Sequence, residues 1–132
     1  MKYAILSLDI EDWYHLDYFS SKSCDRKYSM LDGLDVYLKI IDSYNILSTF
    51  FVLGDIARNL TGKLRELSDL GHDIGSHGQG HVRPLLMEPR EFELEIRNCK
   101  SALEDIIGEN VLGFRAPCFS LDRERLDIVH QV

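Results

Sequence analysis

The chain has 132 residues, of which 45% are hydrophobic and 28% are charged, a composition ordinary for a soluble globular protein. This length supports one hydrophobic core and is too short for two, so we predict a single domain over residues 1–132. The 22 acidic and 15 basic residues give a formal net charge of −7, and no basic cluster stands apart from acidic residues, which argues against a nucleic-acid partner.

Strand-like and helix-like segments alternate along the chain. A short apolar run at residues 3–8, closed by Asp9, predicts the first strand, and a long loop is expected over residues 11–29. Periodic apolar residues predict a helix at residues 31–44. The β-branched and aromatic run at residues 48–53 predicts the second strand.

The second half of the chain continues this alternation. Its predicted elements are a helix at residues 61–70, a strand at 72–76, a helix from Pro89 to Gly108, a strand at 111–115, and a helix at 121–132 capped by Ser120. Four strand–helix units in succession predict an α/β protein with a parallel sheet, either open or part of a (β/α) barrel. In both arrangements functional residues gather at the carboxyl ends of the strands.

Cysteine usage and hydrophobic segments bear on the compartment. Cys24, Cys99 and Cys118 are widely spaced and odd in number, which suits neither a disulfide framework nor a Cys-x-x-Cys zinc site. The apolar run before Asp9 is too short for a signal-peptide core, and no segment reaches the ~20 apolar residues that span a bilayer. We therefore expect a cytoplasmic protein without a membrane span.

The predicted strand ends bring together residues that suit a catalytic divalent metal. Two imidazoles and one or two carboxylates at one rim are the expected ligand set, with positions left for water and substrate. One carboxylate can hold the metal while another accepts a proton from water. The set comprises Asp9, Glu11 and Asp12 after the first strand, His77 and His81 after the third, and Arg115 after the fourth.

Each of these motifs has a simpler interpretation when considered alone. The two histidines flank a Gly-Gln-Gly linker and could be ordinary surface residues, and the carboxylates could cap a helix or lie in a solvated loop. Arg115 could form a surface salt bridge, although an arginine beside an acidic site more readily orients a carboxylate. Trp13 is either a core residue or part of a substrate groove.

Taken in order, the motifs SLDIEDWYH, STFFVLGDIA, GHDIGSHGQGH and GFRAPCFS resemble the polysaccharide deacetylase family, the NodB-homology domain of the family-four carbohydrate esterases. The first motif resembles the branch with an Asp-x-Glu-Asp-Trp start. The resemblance implies the N-terminal part of a distorted (β/α) barrel. It also implies a metal-dependent hydrolase that removes N-acetyl groups from an amino sugar or polysaccharide, with zinc, or alternatively cobalt or nickel, as the metal.

The resemblance assigns roles to individual residues: Asp9 matches the catalytic base, Arg115 the arginine that orients it, and His77 and His81 two metal ligands. We prefer Glu11 as the third ligand because it lies on the side of Asp9 in an extended segment, and Asp12 is the alternative. Substrate contacts are expected from Trp13, Pro117 and Phe119.

The resemblance is incomplete towards the C-terminus. Relatives carry, after the Arg-x-Pro motif, an Asp-Trp-type segment and a late Leu-x-His whose histidine is the general acid, and this chain ends before either. A non-catalytic metal- or glycan-binding module and a metal-dependent hydrolase of another small amide are the alternative functions. Because an incomplete barrel exposes sheet edges and apolar helix faces, we expect a homo-oligomer.

Overall fold

A four-stranded parallel sheet organises the chain, of which the computed structural model describes residues 4–16, 19 and 27–132. The strands are β1 (Ser7–Ile10), β2 (Thr49–Val52), β3 (Asp73–Ser76) and β4 (Gly113–Phe114). They lie side by side in chain order, and every pairing is parallel. Sequential order is the arrangement of a (β/α) barrel, whereas a doubly wound sheet reverses its strand order.

The described residues form five α-helices: α1 (Leu34–Ser43), α2 (Gly54–Ala57), α3 (Thr61–Asp69), α4 (Pro89–Ile107) and α5 (Arg123–Val129). The longest, α4, has Pro89 in its first turn and ends at Gly108 in the left-handed conformation, as predicted. Short 3-10 turns lie at Trp13–His15, Met30–Gly33, Arg58–Leu60, Pro84–Leu86 and Pro117–Phe119.

Within the described ranges, none of these helices combines the length and the apolar character needed to cross a membrane.

The helices cover one face of the sheet. Because side chains alternate along a strand, Ile10, Phe50, Val52 and Ile74 all point towards the helices, and all four are buried. The helices contribute the other half of this core: Leu34 and Ile41 from α1, Leu64 and Leu67 from α3, and Cys99, Leu103 and Ile106 from α4. The opposite face carries the polar residues of β1, Ser7 and Asp9, so these side chains lie on the side of the sheet away from the helices.

Two strand predictions were wrong at their boundaries. The first strand does not end before Asp9, because β1 stays in register with β2 through Asp9 and Ile10, and Ile10 is fully buried. Its predicted start at residue 3 lies outside the described residues. The fourth strand is shorter than residues 111–115, because only Gly113 and Phe114 pair with β3.

Two helix predictions also need correction. Asp122, not Ser120, caps α5: its carboxylate accepts the N–H of Arg125, whereas the Ser120 hydroxyl donates to the carbonyl of Pro117. The helix predicted from residue 31 begins as a 3-10 turn, and α1 starts at Leu34. Within the predicted loop 11–29, residues 17–18 and 20–26, which include Cys24, lie outside the described residues.

Candidate metal centre

Three candidate ligands converge at the carboxyl end of the sheet. One side-chain atom each from Glu11, His77 and His81 lies within 4.8 Å of the others. Glu11 Oε2 is 2.9 Å from His81 Nε2 and 3.8 Å from His77 Nε2. In a tetrahedral zinc site, bonds of this type place ligand atoms about 3.4 Å apart, a value between these two distances.

The hydrogen bond of His77 fixes which ring nitrogen is available. His77 follows β3 directly, and its Nδ1 lies 2.8 Å from the backbone carbonyl oxygen of Arg115. A carbonyl only accepts, so Nδ1 carries the proton, and Nε2 turns its lone pair towards Asp9 and Glu11. Burial lowers the pKa of His77 against the opposing effects of the Arg115 carbonyl and the two carboxylates, which favours the neutral, metal-binding form.

Glu11 supplies a half-buried carboxylate to the group. Its Oε2 is buried and lies 2.9 Å from Nε2 of His81. Burial raises the pKa of the Glu11 carboxyl, but the neighbouring imidazoles of His81, His77 and His15 lower it by more, so the carboxylate stays ionised. One carboxylate and two imidazoles form the donor set that zinc and similar divalent ions prefer, so these residues fit such an ion.

The loop at residues 77–81 brings the two histidines together through an unusual backbone. Gly78 has φ +83° and His81 has φ +59°. The left-handed region costs glycine nothing, but a histidine is held there only when its surroundings enforce it, at a cost of order 1–3 kcal/mol. Space is also limited at Gly80, where a Cβ would lie 3.0 Å from Asp55 Oδ2 and this carboxylate would have to shift.

Asp9 and Arg115 form an ion pair beside the ligands. Arg115 donates from Nη1 to Asp9 Oδ1 at 2.5 Å and from Nη2 to the Ser7 hydroxyl at 2.6 Å. The second oxygen of Asp9, Oδ2, lies 3.9 Å from His77 Nε2. One oxygen of this carboxylate is therefore held by the arginine, and the other faces the candidate metal ligands.

Two residues that support Arg115 were not predicted. Its guanidinium lies 4.1 Å from the centre of the Phe51 ring, a cation–π contact. Phe51 in turn fits above Gly75, where a Cβ would come within 2.7 Å of the ring. Ser7 is the second, and it could have been found, because it lies two residues before Asp9 and so on the same strand face.

The alternative prediction of Asp12 as a metal ligand does not fit the structure. Asp12 is 2% exposed, and its Oδ1 accepts the N–H groups of Trp13 at 2.9 Å and Met30 at 3.0 Å. Its Oδ2 accepts a hydrogen bond from the Ser29 hydroxyl. Asp12 thus caps the turn at Trp13–His15 and fastens it to the segment before α1.

The three predicted substrate residues lie at the same end of the sheet in different environments. Trp13 packs edge-on against Tyr14 and Phe19, and its Nε1 donates to the carbonyl of Tyr28. Pro117 is buried, whereas Phe119 is 82% exposed and has φ +51°. Their part in substrate binding stays a prediction.

Sequence comparison finds relatives of this chain among carbohydrate deacetylases. The profile of the polysaccharide deacetylase family matches residues 28–132. The peptidoglycan deacetylase of Helicobacter pylori is 26% identical over 85 residues, which are 64% of this chain and 29% of that protein. The chitooligosaccharide deacetylase of Azorhizobium caulinodans is 30% identical over 95 residues, 71% of this chain and 45% of that protein. The chain thus spans less than half the length of these relatives.

Solved structures of CE4-family proteins share the fold. A CE4-family pseudoenzyme from Bacillus anthracis superposes with a TM-score of 0.77 at 16% identity, over 96% of this chain and 39% of that one. A family 4 acetyl xylan esterase from Clostridium thermocellum, in complex with a cobalt ion, gives a TM-score of 0.71 at 19% identity, over 94% and 53% of the two chains. The prediction of the N-terminal part of a CE4-type (β/α) barrel is confirmed.

Proposed function

The chain belongs to the polysaccharide deacetylase family, and on that premise we propose that it carries the metal-binding part of a metal-dependent deacetylase site. The proposed reaction is hydrolysis of the N-acetyl group of an amino sugar or polysaccharide. The proposed metal is zinc, with cobalt or nickel as alternatives. The observation that carries the proposal is the placement of Asp9 Oδ2 beside the convergent group of Glu11, His77 and His81.

Each residue of the group has a separable part in this proposal. Glu11, His77 and His81 would hold the ion, which supplies Lewis acidity to the amide carbonyl and to the attacking water. Asp9 accepts the proton of that water at Oδ2, the oxygen that faces the ligands. Arg115 and Ser7 do not touch the reacting atoms. Arg115 holds the other oxygen of the Asp9 carboxylate, Oδ1, and Ser7 accepts a hydrogen bond that keeps the guanidinium in place.

Metal binding is the first test. Protein stripped by a chelator is expected to bind about one zinc or cobalt ion per chain in a calorimetric titration, because three donors converge on one point. His77→Ala is expected to abolish this binding. His130→Ala removes an exposed histidine at the end of α5 and serves as the matched control. Equal binding by wild type and His77→Ala would show that the site assignment is wrong.

Turnover is tested separately, because binding alone does not establish catalysis. The metal-loaded protein and a chelator-treated control are incubated with an N-acetylated chito-oligosaccharide, and released acetate is measured. Acetate release that needs the metal supports the deacetylase. Metal and glycan binding without release supports the alternative of a non-catalytic module.

A further inference from the structure

A carboxylate outside the metal centre lies against the loop that carries both histidines. Glu95 projects from α4, and its Oε1 accepts the N–H of Gln79 at 2.9 Å and that of Gly80 at 3.5 Å. These two amides belong to the three residues that separate His77 from His81. Glu95 therefore binds the backbone between the candidate ligands.

The same loop is held from its other side by the start of α2. The N–H groups of Gly54 and Asp55 donate to the carbonyls of Gly78 and Gln79, both at 3.0 Å. The side-chain amide of Gln79 also donates to Asp55 Oδ1 at 2.8 Å. Two helices therefore hold the loop. The N–H groups of α2 bind its carbonyl groups, and Glu95 of α4 binds its N–H groups.

The surroundings of Glu95 indicate that this contact is the reason for a carboxylate at this position. No ion pair reaches Glu95 within the described part of the chain, and its acidic neighbours are Asp55 and Glu91. Burial raises the pKa of Glu95, and the two loop N–H groups oppose that rise. An apolar side chain would avoid the cost of burying a carboxylate, so the acceptor oxygen is what distinguishes glutamate here.

We propose that Glu95 is a positioning residue of the metal centre, which fixes the backbone of Gln79 and Gly80 and thereby the separation of the His77 and His81 Nε2 atoms. The proposal rests on the proposed function, because it assumes that these two nitrogens bind one ion. The positive φ of His81 supports it, since a strained ligand relaxes when the contacts that enforce its backbone are removed.

Three substitutions separate the length of the side chain from its charge. Glu95→Ala removes the acceptor, and Glu95→Asp keeps the charge but falls one methylene short of the loop. Both are expected to weaken metal binding by about 10- to 100-fold, the range typical for partners of metal ligands. Glu95→Gln keeps the length and one acceptor oxygen, so it is expected to bind within a few fold of wild type.

The matched control is Glu91→Gln, one helical turn earlier on α4. This substitution removes a negative charge that acts on Glu95. It leaves the hydrogen bonds between Glu95 and the loop in place. Cobalt affinity is measured for every variant by titration against a competing chelator. Hydrogen exchange of the metal-free proteins provides a second readout: Glu95→Ala should exchange faster at residues 77–81 while the amides in the middle of α4 stay protected.

The outcomes distinguish the two proposals. If wild type binds cobalt and His77→Ala does not, but Glu95→Ala matches wild type in affinity and loop exchange, the positioning role is overturned and the proposed function stands. An equal loss in Glu91→Gln and Glu95→Ala would also overturn it, because charge alone would then account for the effect. If wild type binds no metal, both proposals fail together.

Discussion

Asp9 and Glu11 lie two residues apart on the same side of the chain, yet their neighbours give them different roles. Asp9 meets a permanent cation, because the guanidinium of Arg115 binds one of its oxygens. Glu11 meets two imidazoles, which are neutral donors when deprotonated. A divalent ion would therefore bind at Glu11, where the negative charge is not already matched, and leave Asp9 as the proton acceptor.

Acid is expected to destabilise the metal-free protein through His77. Burial lowers the pKa of this imidazole below its ordinary value of 6.5. The unfolded chain then binds the proton first, so the stability present above about pH 6.5 is lost as the pH falls towards the lower folded-state pKa. One such proton changes the free energy of unfolding by up to about 1.4 kcal/mol per pH unit.

Urea denaturation at a series of pH values in the presence of a chelator measures this slope. His77→Gln is expected to show a shallower loss than wild type below about pH 6.5. His130→Gln, at an exposed position, is the control and should keep the wild-type slope. Parallel curves for wild type and His77→Gln would contradict the assignment, since the other titrating groups are common to both proteins.

The side chains that converge at the candidate site, and Arg115 beside them, could be predicted from sequence, but the contact of Glu95 with their loop could not. The histidines and Glu11 stand at strand ends, where parallel strands deliver functional residues, and strand alternation favours Glu11 over Asp12. Glu95 lies in an amphipathic helix whose pattern does not mark it as different from its solvent-facing neighbours. Its contact with the loop arises only when α4 docks on the sheet, which no local pattern reveals.

One buried arginine from α5 binds the segment between the loop at residues 77–81 and α4. Arg125 is 9% exposed and donates from Nε to the carbonyl of Pro84 at 2.7 Å and from Nη2 to that of Met87 at 2.6 Å. Its Nη1 pairs with the carboxylate of Asp122, the residue that caps α5. The start of α5 is thereby joined to the chain that follows His81.

Arg125→Ala is expected to lower the free energy of unfolding by about 2–4 kcal/mol, because it leaves two carbonyl groups without their donor. Arg123→Ala, two residues earlier and exposed, should change it by less than about 0.5 kcal/mol. Urea denaturation monitored by circular dichroism measures both. Equal midpoints for the two variants would show that the arginine contacts contribute little to folding.

Elements were predictable where a local pattern determines them. The long helix α4 has a regular apolar stripe, an early proline and a terminal glycine, and its bounds followed from these signals. The four-residue helix α2 was not predicted. Its first N–H groups donate to carbonyl groups of the loop at residues 77–81, a contact between distant parts of the sequence that no local pattern indicates. The predicted length of β4 was wrong for a related reason. The length of a strand depends on how far its partner, here β3, continues alongside it.

At the scale of the whole molecule, more surface is exposed than in a compact protein of the same mass. The accessible surface is 8762 Å², against about 7100 Å² expected for a compact monomer of 15.2 kDa. Among the described residues, β1 and β4 each pair with a strand on one side only. Beside β4, Leu112 is 90% exposed and adjoins the partly buried side chains of Phe114, Val129 and Val132.

We expect this apolar surface beside β4 to drive self-association, since an unprotected edge strand and exposed apolar side chains favour contact with another chain. Sedimentation velocity over a wide range of protein concentration should give a mass above 15.2 kDa that increases with concentration. Leu112→Asp should shift the protein towards the monomer. Val36→Asp places the same charge at a 60% exposed apolar position on α1 and should not. A wild-type mass of 15.2 kDa at every concentration would show that the exposed edge is tolerated without a partner.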